Sequence, residues 1–332
     1  MIYPEISIVM PAFNAEKFIK EAIESILNQT FENFELIIAD DCSTDNTVKI
    51  IESFNDERIK LIKTDKNSGS AKYPRELAIE NASSNLICWI DADDTIDRDY
   101  LAQLLKRKRE TSSNVVCSQM VAEENGSVKY FLPRKKFDFH QIVSGKDAFR
   151  MTLEFPWEIN LNGWLCDKMT WINISTFKNQ KIIHMNADDY SAREILFNSK
   201  KVAFSPAVYH YRLTSTSITK KISIKRFESV ITDRLVFNFI NKEWNDDNKP
   251  LVLKTFHKTL CQNMINLIRM YVINQGLFTE SENNKIKKLL KDNFNQISYY
   301  MILKNNLILK YKLLLMFPFN LSLILINKIN KK

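Results

Sequence analysis

The chain of 332 residues is 45% hydrophobic and 26% charged, which excludes a disordered polymer and allows one large domain or two modest ones. Its formal charge of +8 gathers at one end: from Tyr300 to Lys332 there are six lysines and no acidic residue. Five cysteines, odd in number, widely spaced and without a Cys-x-x-Cys pair, argue against a disulfide framework and read as reduced thiols of a cytosolic protein.

Residues Met1 to Glu5 carry neither a basic segment nor an apolar run, so no signal peptide is expected and the active part is placed on the cytoplasmic side. Ile6 to Met10 is a β-rich apolar run closed by the turn residues Pro11-Ala-Phe-Asn14. From Glu16 to Asn28 the apolar Phe18, Ile19, Ala22, Ile23, Ile26 and Leu27 recur at helical spacing. Phe34 to Ala39 reads as a second strand ending in Asp40-Asp41-Cys-Ser-Thr-Asp45, with helical periodicity resuming over Thr47 to Phe54. Asp45 reads most simply as a helix cap. A third strand is expected at Ile59 to Ile62 and a third helix at Ala71 to Ala82, with Pro74 in its first turn.

The fourth strand, Leu86-Ile-Cys-Trp-Ile90, is a continuous apolar run that ends in Asp91, Asp93 and Asp94. Such a run fits a buried central strand, and no core accepts three unpaired carboxylates. The three should therefore emerge at the carboxyl edge of the sheet, where open α/β folds place ligands. Hard oxygen donors in a cluster favour Mg²⁺ or Mn²⁺ shared with a substrate phosphate. Strands alternating with helices imply a parallel sheet with right-handed crossovers and a nucleotide site.

Further on, Val115 to Met120, a turn at Asn125-Gly126 and Val128 to Leu132 suggest a hairpin. Ser144 to Leu153 opens with a Ser-x-x-Asp pattern close to a capping box. An aromatic segment with Trp157, Trp164 and Trp171 follows, then His184 to Phe197, a strand pair over Val202 to Arg212, and helical patterning from Ile222 onward.

Four pieces in order, Ser7-Ile-Val-Met-Pro-Ala-Phe-Asn14, Asn28-Gln-Thr30 with Phe34 to Thr47, Asn67-Ser-Gly69 with Arg75, and Ile90-Asp-Ala-Asp-Asp94, resemble the family 2 glycosyltransferases of the GT-A fold. The resemblance is specific over residues 6–100 and weaker over 164–218. It implies a GT-A domain over residues 1–218, with a nucleotide-sugar half to about 110 and an acceptor half to 218, followed by a helical region over 219–332. It implies an enzyme that moves a sugar from a nucleotide sugar, with a UDP-sugar favoured, to an acceptor hydroxyl.

In such enzymes the positions matching Pro11, Ala12, Phe13, Asn14 and Asp41 hold the base and ribose. Asp91 contacts ribose or metal, and Asp93 is the principal ligand of Mg²⁺ or Mn²⁺. Arg75 stands where the family has an Arg-Asn pair, within Tyr73-Pro-Arg-Glu76, and is a phosphate or base contact or else a surface arginine. Ala187-Asp-Asp-Tyr190 matches the family's Glu-Asp pair, so Asp189 corresponds to the base of an inverting transfer and Asp188 replaces the glutamate; both could instead cap the helix that follows. Tyr209-His-Tyr-Arg212 matches a Tyr-Tyr-Tyr-Arg segment. His210 is then a candidate metal or diphosphate neighbour or a packed residue, and Arg212 a phosphate ligand or an ordinary ion pair. Trp164 is a sugar platform or a core residue, beside Lys168.

The expected partners are a nucleotide-sugar donor and a glycan or glycolipid acceptor of lipopolysaccharide, capsule or lipid-linked biosynthesis, with no nucleic acid. The tail from Asn306 to Asn330 is apolar but interrupted by Lys310, Lys312 and Pro318, and its longest uncharged stretch, Leu313 to Asn327, is short for a bilayer span, which needs roughly 20 apolar residues. It fits either a peripheral contact with the anionic inner leaflet or a core helix. Two rival readings share the acidic strand ends. A sugar nucleotidyltransferase would need a Gly-rich phosphate loop, and a chain with five glycines has none at Pro11 to Asn14. A non-catalytic glycan-binding or membrane-docking protein would have lost the key carboxylates, which are intact.

Overall fold

The computed structural model describes residues 3–124, 127–132, 138–154, 162–177, 179, 187–213, 222–294 and 319. Two compact units divide the chain: Met1–Ile183 with Ser191–Thr214, and His184–Tyr190 with Ser215–Lys332.

The first unit is built on a mixed sheet. Its opening strands are β1 (Ile6–Ala12), β2 (Phe34–Asp40), β3 (Ile59–Lys63) and β4 (Leu86–Trp89), interleaved with α1 (Ile19–Leu27), α2 (Thr47–Glu52) and α3 (Lys72–Glu80). These four strands are parallel and lie in the order β3-β2-β1-β4. The chain thus winds one way from β1 to β3, then returns to place β4 on the other side of β1. That reversal makes a crevice outside the carboxyl ends of β1 and β4, where ligands of open α/β sheets bind.

Every residue of β1 and β2 is buried, as expected of strands covered on both faces. Alternation still sorts them: Ile6, Ile8 and Met10 enter one core with Ile19, Ile23 and Ile26 of α1, whereas Val9 enters the opposite core with Ala78 and Ile79 of α3. Each such aliphatic side chain contributes about 1.5–3 kcal/mol by burial.

After β4 come the two-residue strand β5 (Thr95–Ile96), α4 (Tyr100–Thr111), and the antiparallel pair β6 (Val115–Glu124) and β7 (Ser127–Leu132). The turn expected at Asn125-Gly126 lies outside the described residues, as does Trp157. Then follow β8 (Ile142–Val143), α5 (Gly145–Glu154), β9 (Leu165–Asp167), α6 (Lys168–Ile172), α7 (Ala187–Asn198) and β10 (Val202–Arg212). Ser144 and Asp147 form the expected reciprocal cap of α5: Asp147 N–H donates to Ser144 Oγ at 3.1 Å, and that hydroxyl donates back to the carboxylate at 2.7 Å.

The sheet continues past β4 as β9-β6-β10-β5, with β9 antiparallel to both of its neighbours and β10 parallel to β6. The region expected as a strand pair is one strand of 11 residues whose register slips between Phe204 and Val208. Pro206 sits within the slip, since proline cannot donate to a ladder and is tolerated in a strand at such an irregularity.

The second unit contains α8 (Ile224–Phe227), α9 (Ser229–Glu243), α10 (Lys249–Asn274) and α11 (Glu280–Phe294). Phe227, Ile265, Ile268, Tyr271, Ile286 and Leu290 fill its core. Among the described residues no helix is long and apolar enough to cross a membrane. The tail lies outside them except for Phe319, which is buried against Phe294 with ring centroids 5.6 Å apart.

Candidate active site

The carboxyl ends of β1 and β2 are stitched together by short polar side chains. Asn14 and Cys42, the residues that leave these strands, have φ of 48° and 62°, in the left-handed region that non-glycine residues seldom adopt. Asn14 N–H donates to Ser43 Oγ at 2.9 Å, and its side-chain oxygen accepts Thr44 N–H at 2.8 Å. Strain held by such cross-links gathers where a loop must keep one shape for a ligand. Pro11 and Ala12 prove to be the last pairs of β1, opposite Ala39 and Asp40, instead of loop residues. Phe13 stands 50% exposed at the mouth.

Asp41 is buried and accepts Ser68 N–H, the Ser68 hydroxyl and the Thr64 hydroxyl at 2.9–3.0 Å. It thereby fixes the loop around Asn67-Ser-Gly69 against the end of β2. Asp40 accepts Ser43 N–H at 3.1 Å with one oxygen and keeps the other buried without a hydrogen-bond partner among the described residues. Asp45 lies one residue before Asn46, the N-cap of α2, and accepts Thr47 N–H and Glu16 N–H, so it turns the chain into the helix and ties it to the β1 loop instead of capping it. Burial alone would raise its pKa, but these bonds hold it below the usual value.

Arg75 is not a surface arginine: it is 1% exposed, with its guanidinium 3.9 Å from the Trp89 ring centroid and 5.7 Å from that of Trp171. Trp89 carries this contact onward, because its indole N–H donates to Asp91 Oδ1 at 2.8 Å. The other oxygen of Asp91 accepts Asn162 Nδ2–H at 2.9 Å. Asn162 is delivered by a turn at Gly163, whose N–H donates to Trp89 O and whose φ is 74°. A Cβ at Gly163 would lie 2.2 Å from Tyr100 Oη and 2.6 Å from Tyr209 Cδ2, so only glycine fits.

The acidic turn after β4 is held from β10. Tyr209 donates to Asp94 Oδ2 at 2.7 Å and accepts Asp91 N–H at 3.1 Å, while Arg212 N–H donates to Asp94 Oδ1 at 2.8 Å. Asp94 is fully buried, and these bonds tie the turn to β10. Burial, followed by the like charges of Asp93 and Asp91, pushes its pKa well above the carboxylate range. Burial also raises Asp93, against the opposing influence of Arg212.

Arg212 is already committed: Nε donates to Asp93 O at 2.9 Å, Nη2 to Glu21 at 2.7 Å, and the guanidinium lies 5.1 Å from the Phe18 ring centroid. It is therefore a brace for the turn, the ion-pair alternative of the sequence reading. His210 has both ring nitrogens on carboxylates, Asp97 and Glu123, and offers neither to a metal or diphosphate. Trp164 is 3% exposed within a hydrophobic cluster, which is the core reading and not a sugar platform. Lys168 donates to Ala82 O at 2.7 Å.

In the second unit, Asp188 and Asp189 occupy the first turn of α7, where acidic groups complement the helix dipole. The neighbouring Tyr190 is buried edge-on to Phe239, with ring centroids 6.0 Å apart.

Among the described residues no three His, Cys, Asp or Glu side chains converge to cage an ion. A hard divalent cation bound together with a diphosphate does not need such a cage: one or two carboxylates suffice, with phosphate and water completing the shell. Asp91 and Asp93 supply that donor set, so the residues present fit Mg²⁺ or Mn²⁺. The bonds that Tyr209, Asn162 and the Trp89 indole make to the acidic turn are not foreseen from the sequence, although Tyr209 lies in the matched Tyr-His-Tyr-Arg segment and Asn162-Gly163 is an Asn-Gly turn dipeptide.

Comparison with known proteins agrees with this geometry. The model of glycosyl transferase family 2 matches residues 7–196. An uncharacterized glycosyltransferase of Haemophilus influenzae is 34% identical over 160 residues, 46% of this chain and 62% of that protein. The UDP-Glc:alpha-D-GlcNAc-diphosphoundecaprenol beta-1,3-glucosyltransferase WfgD of Escherichia coli is 32% identical over 139 residues, 42% of this chain and 54% of WfgD. This chain thus spans less than two thirds of either relative. In solved structures, residues 1–349 of the poly(ribitol-phosphate) beta-N-acetylglucosaminyltransferase TarS of Staphylococcus aureus, in complex with UDP-GlcNAc, match at a TM-score of 0.71 and 19% identity, covering 98% of this chain and 89% of that one. At that identity the likeness shows the fold.

Proposed function

Because this chain belongs to glycosyl transferase family 2, we propose that it transfers a sugar from a nucleotide sugar, preferentially a UDP-sugar, to the hydroxyl of a cell-surface or lipid-linked glycan. The observation that carries the reading is the acidic turn: Asp91 and Asp93 stand at the carboxyl end of β4, at the switch point of the sheet, with Asp91 oriented by Trp89 and Asn162.

The residues divide the work. Pro11 to Asn14 and Asp41 form the nucleoside end, where Asp41 fixes the Asn67-Ser-Gly69 loop and Phe13 offers an apolar face. Asp91 and Asp93 would hold a divalent cation, which would supply positive charge to offset that of a departing diphosphate. Arg75 acts through Trp89, orienting Asp91 from behind without touching phosphate. Asp189 takes the acceptor proton as the acceptor oxygen bonds to the anomeric carbon, the bond from that carbon to phosphate breaks, and the nucleoside diphosphate leaves. A single displacement of this kind inverts the anomeric centre.

The names of TarS and WfgD, which act on poly(ribitol-phosphate) and on a diphosphoundecaprenol-linked sugar, support a polymer or lipid-linked acceptor. Incubation of the full chain with UDP-sugars, Mn²⁺ and such acceptors tests the reading. Acceptor-dependent release of UDP is expected, whereas formation of UTP and sugar 1-phosphate only when pyrophosphate is added would identify a nucleotidyltransferase.

A further inference from the structure

Between Tyr209 and Arg212, which hold the acidic turn, His210 is engaged in a separate contact. It stands opposite Thr95 of β5 on one side and Val121 of β6 on the other. Its Nδ1 lies 2.7 Å from Glu123 Oε1 and its Nε2 2.8 Å from Asp97 Oδ1. A neutral imidazole has one N–H and one lone pair, so with a carboxylate on each nitrogen it would turn a lone pair toward an anionic oxygen at hydrogen-bond distance. An imidazolium donates to both.

The surroundings favour that cation. Glu21 and Glu24 of α1 line the same small cleft as His210, Glu123, Thr95 and Ile96. Arg212 is paired with Glu21, and Lys129 of β7 with Glu124. Burial pulls the ring's pKa down and is the largest single influence, but the bonds and charges of Asp97 and Glu123 together raise it above the ordinary histidine value.

The mechanical consequence lies in β5. That strand is two residues long and pairs with β10 only at Thr95 and Ile96, yet it comes directly after Asp93 and Asp94. So short a ladder holds little by itself, and the side-chain link from Asp97 through His210 to Glu123 fastens it to the two long strands of the sheet.

We propose that His210 is a positioning residue, an imidazolium clasp that secures the segment after Asp93 and Asp94 and makes the order of the donor site depend on one proton. The functional part of this rests on the donor-site reading above. The sign follows from linkage: for a group raised on folding, the clasp is complete below the unfolded value of about 6.5 and is lost as pH rises through the folded one.

Nitrogen NMR of the full chain labelled at its four histidines tests the clasp without any ligand; the His210→Gln spectrum assigns the signal. Two protonated nitrogens on His210 are expected near neutral pH, with a titration midpoint that drops by roughly one unit in Glu123→Gln. Hydrogen exchange over residues 91–97, corrected for intrinsic rates, is expected to lose about tenfold protection as pH rises through that midpoint. Glu123→Gln should abolish that loss, because its amide can donate to a neutral Nδ1 while Nε2–H serves Asp97. A ring with one protonated nitrogen at neutral pH, or protection whose pH course is the same in Glu123→Gln, overturns the clasp. If UDP fails to stabilise the wild type at any pH while both ligand-free signatures appear, it is the donor-site reading that falls.

Discussion

Tyr209 gives its one hydroxyl hydrogen to Asp94 at 2.7 Å and takes the backbone N–H of Asp91 at 3.1 Å, so a single buried phenol spans both ends of the acidic turn. Burial raises the Tyr209 pKa well above its usual value, which keeps that hydrogen in place. Tyr209→Phe leaves a buried carboxylate short of a donor and a backbone N–H without an acceptor. We expect a loss of about 2–4 kcal/mol in chemical denaturation, from two groups at about 1–2 kcal/mol each, together with weaker UDP-dependent stabilisation.

Trp89 links Arg75 to Asp91, and its two functions are separable. Trp89→Phe keeps an aromatic ring under the guanidinium but removes the N–H that reaches Asp91 Oδ1. The variant should fold, and its affinity for Mn²⁺ in the presence of UDP should fall about tenfold, the usual cost of removing a partner that orients a ligand. Calorimetric titration reads the change. Trp89→Ala adds a cavity and should destabilise by about 3–5 kcal/mol.

A third prediction concerns stability away from the site. Glu35 of β2 is 4% exposed and accepts from Ser7 Oγ, Ser83 N–H and Lys60 Nζ at 2.5–2.6 Å. Burial is the strongest single influence and pushes its pKa up, but the bonds from Lys60, Ser7 and Ser83 together leave it lowered. A depressed carboxylate contributes stability that is present above the unfolded value of about 4.3 and is lost as pH falls through the folded one. Glu35→Gln should therefore cost about 2 kcal/mol at neutral pH and flatten the acid limb of a denaturation profile.

Much of this architecture is visible in the bare sequence. Ile6 to Met10, Phe34 to Ala39 and Leu86 to Ile90 are apolar runs that end in Asn or Asp, and burial on both faces of a parallel sheet leaves few other ways to place them. Asp41 follows directly on β2 and Asp91 is the first polar residue after β4, with Asp93 two residues further on. The supports of those carboxylates are hidden for an equally physical reason. Asn162 is 71 residues from Asp91, and Tyr209 is 115 from Asp94; the pairing of β9 with β4 brings the first two together, and that of β10 with β5 and β6 the second.

The same topology sets the roles that the sequence left open. Arg212 and His210 look like site cations in isolation, yet the structure supplies each with carboxylate partners, Glu21 for the first and Asp97 with Glu123 for the second. The strand pair expected over Val202 to Arg212 is instead one strand with a slip at Ser205-Pro206.

Asp189 invites a separate test. As acceptor base it is needed for transfer and not for donor binding, so Asp189→Asn should lower kcat by about 10²–10⁴-fold while UDP-sugar stabilisation persists. Normal turnover by that variant would remove the base from the scheme.

In the proposed donor site Asp93 helps hold the cation that a nucleotide sugar shares with this chain. The most direct test is thermal stabilisation of wild type and Asp93→Ala by UDP-sugars, with and without Mn²⁺. A Mn²⁺-dependent rise in melting temperature for the wild type, absent from a folded Asp93→Ala variant, is the predicted result; equal stabilisation of both, or of neither, contradicts it.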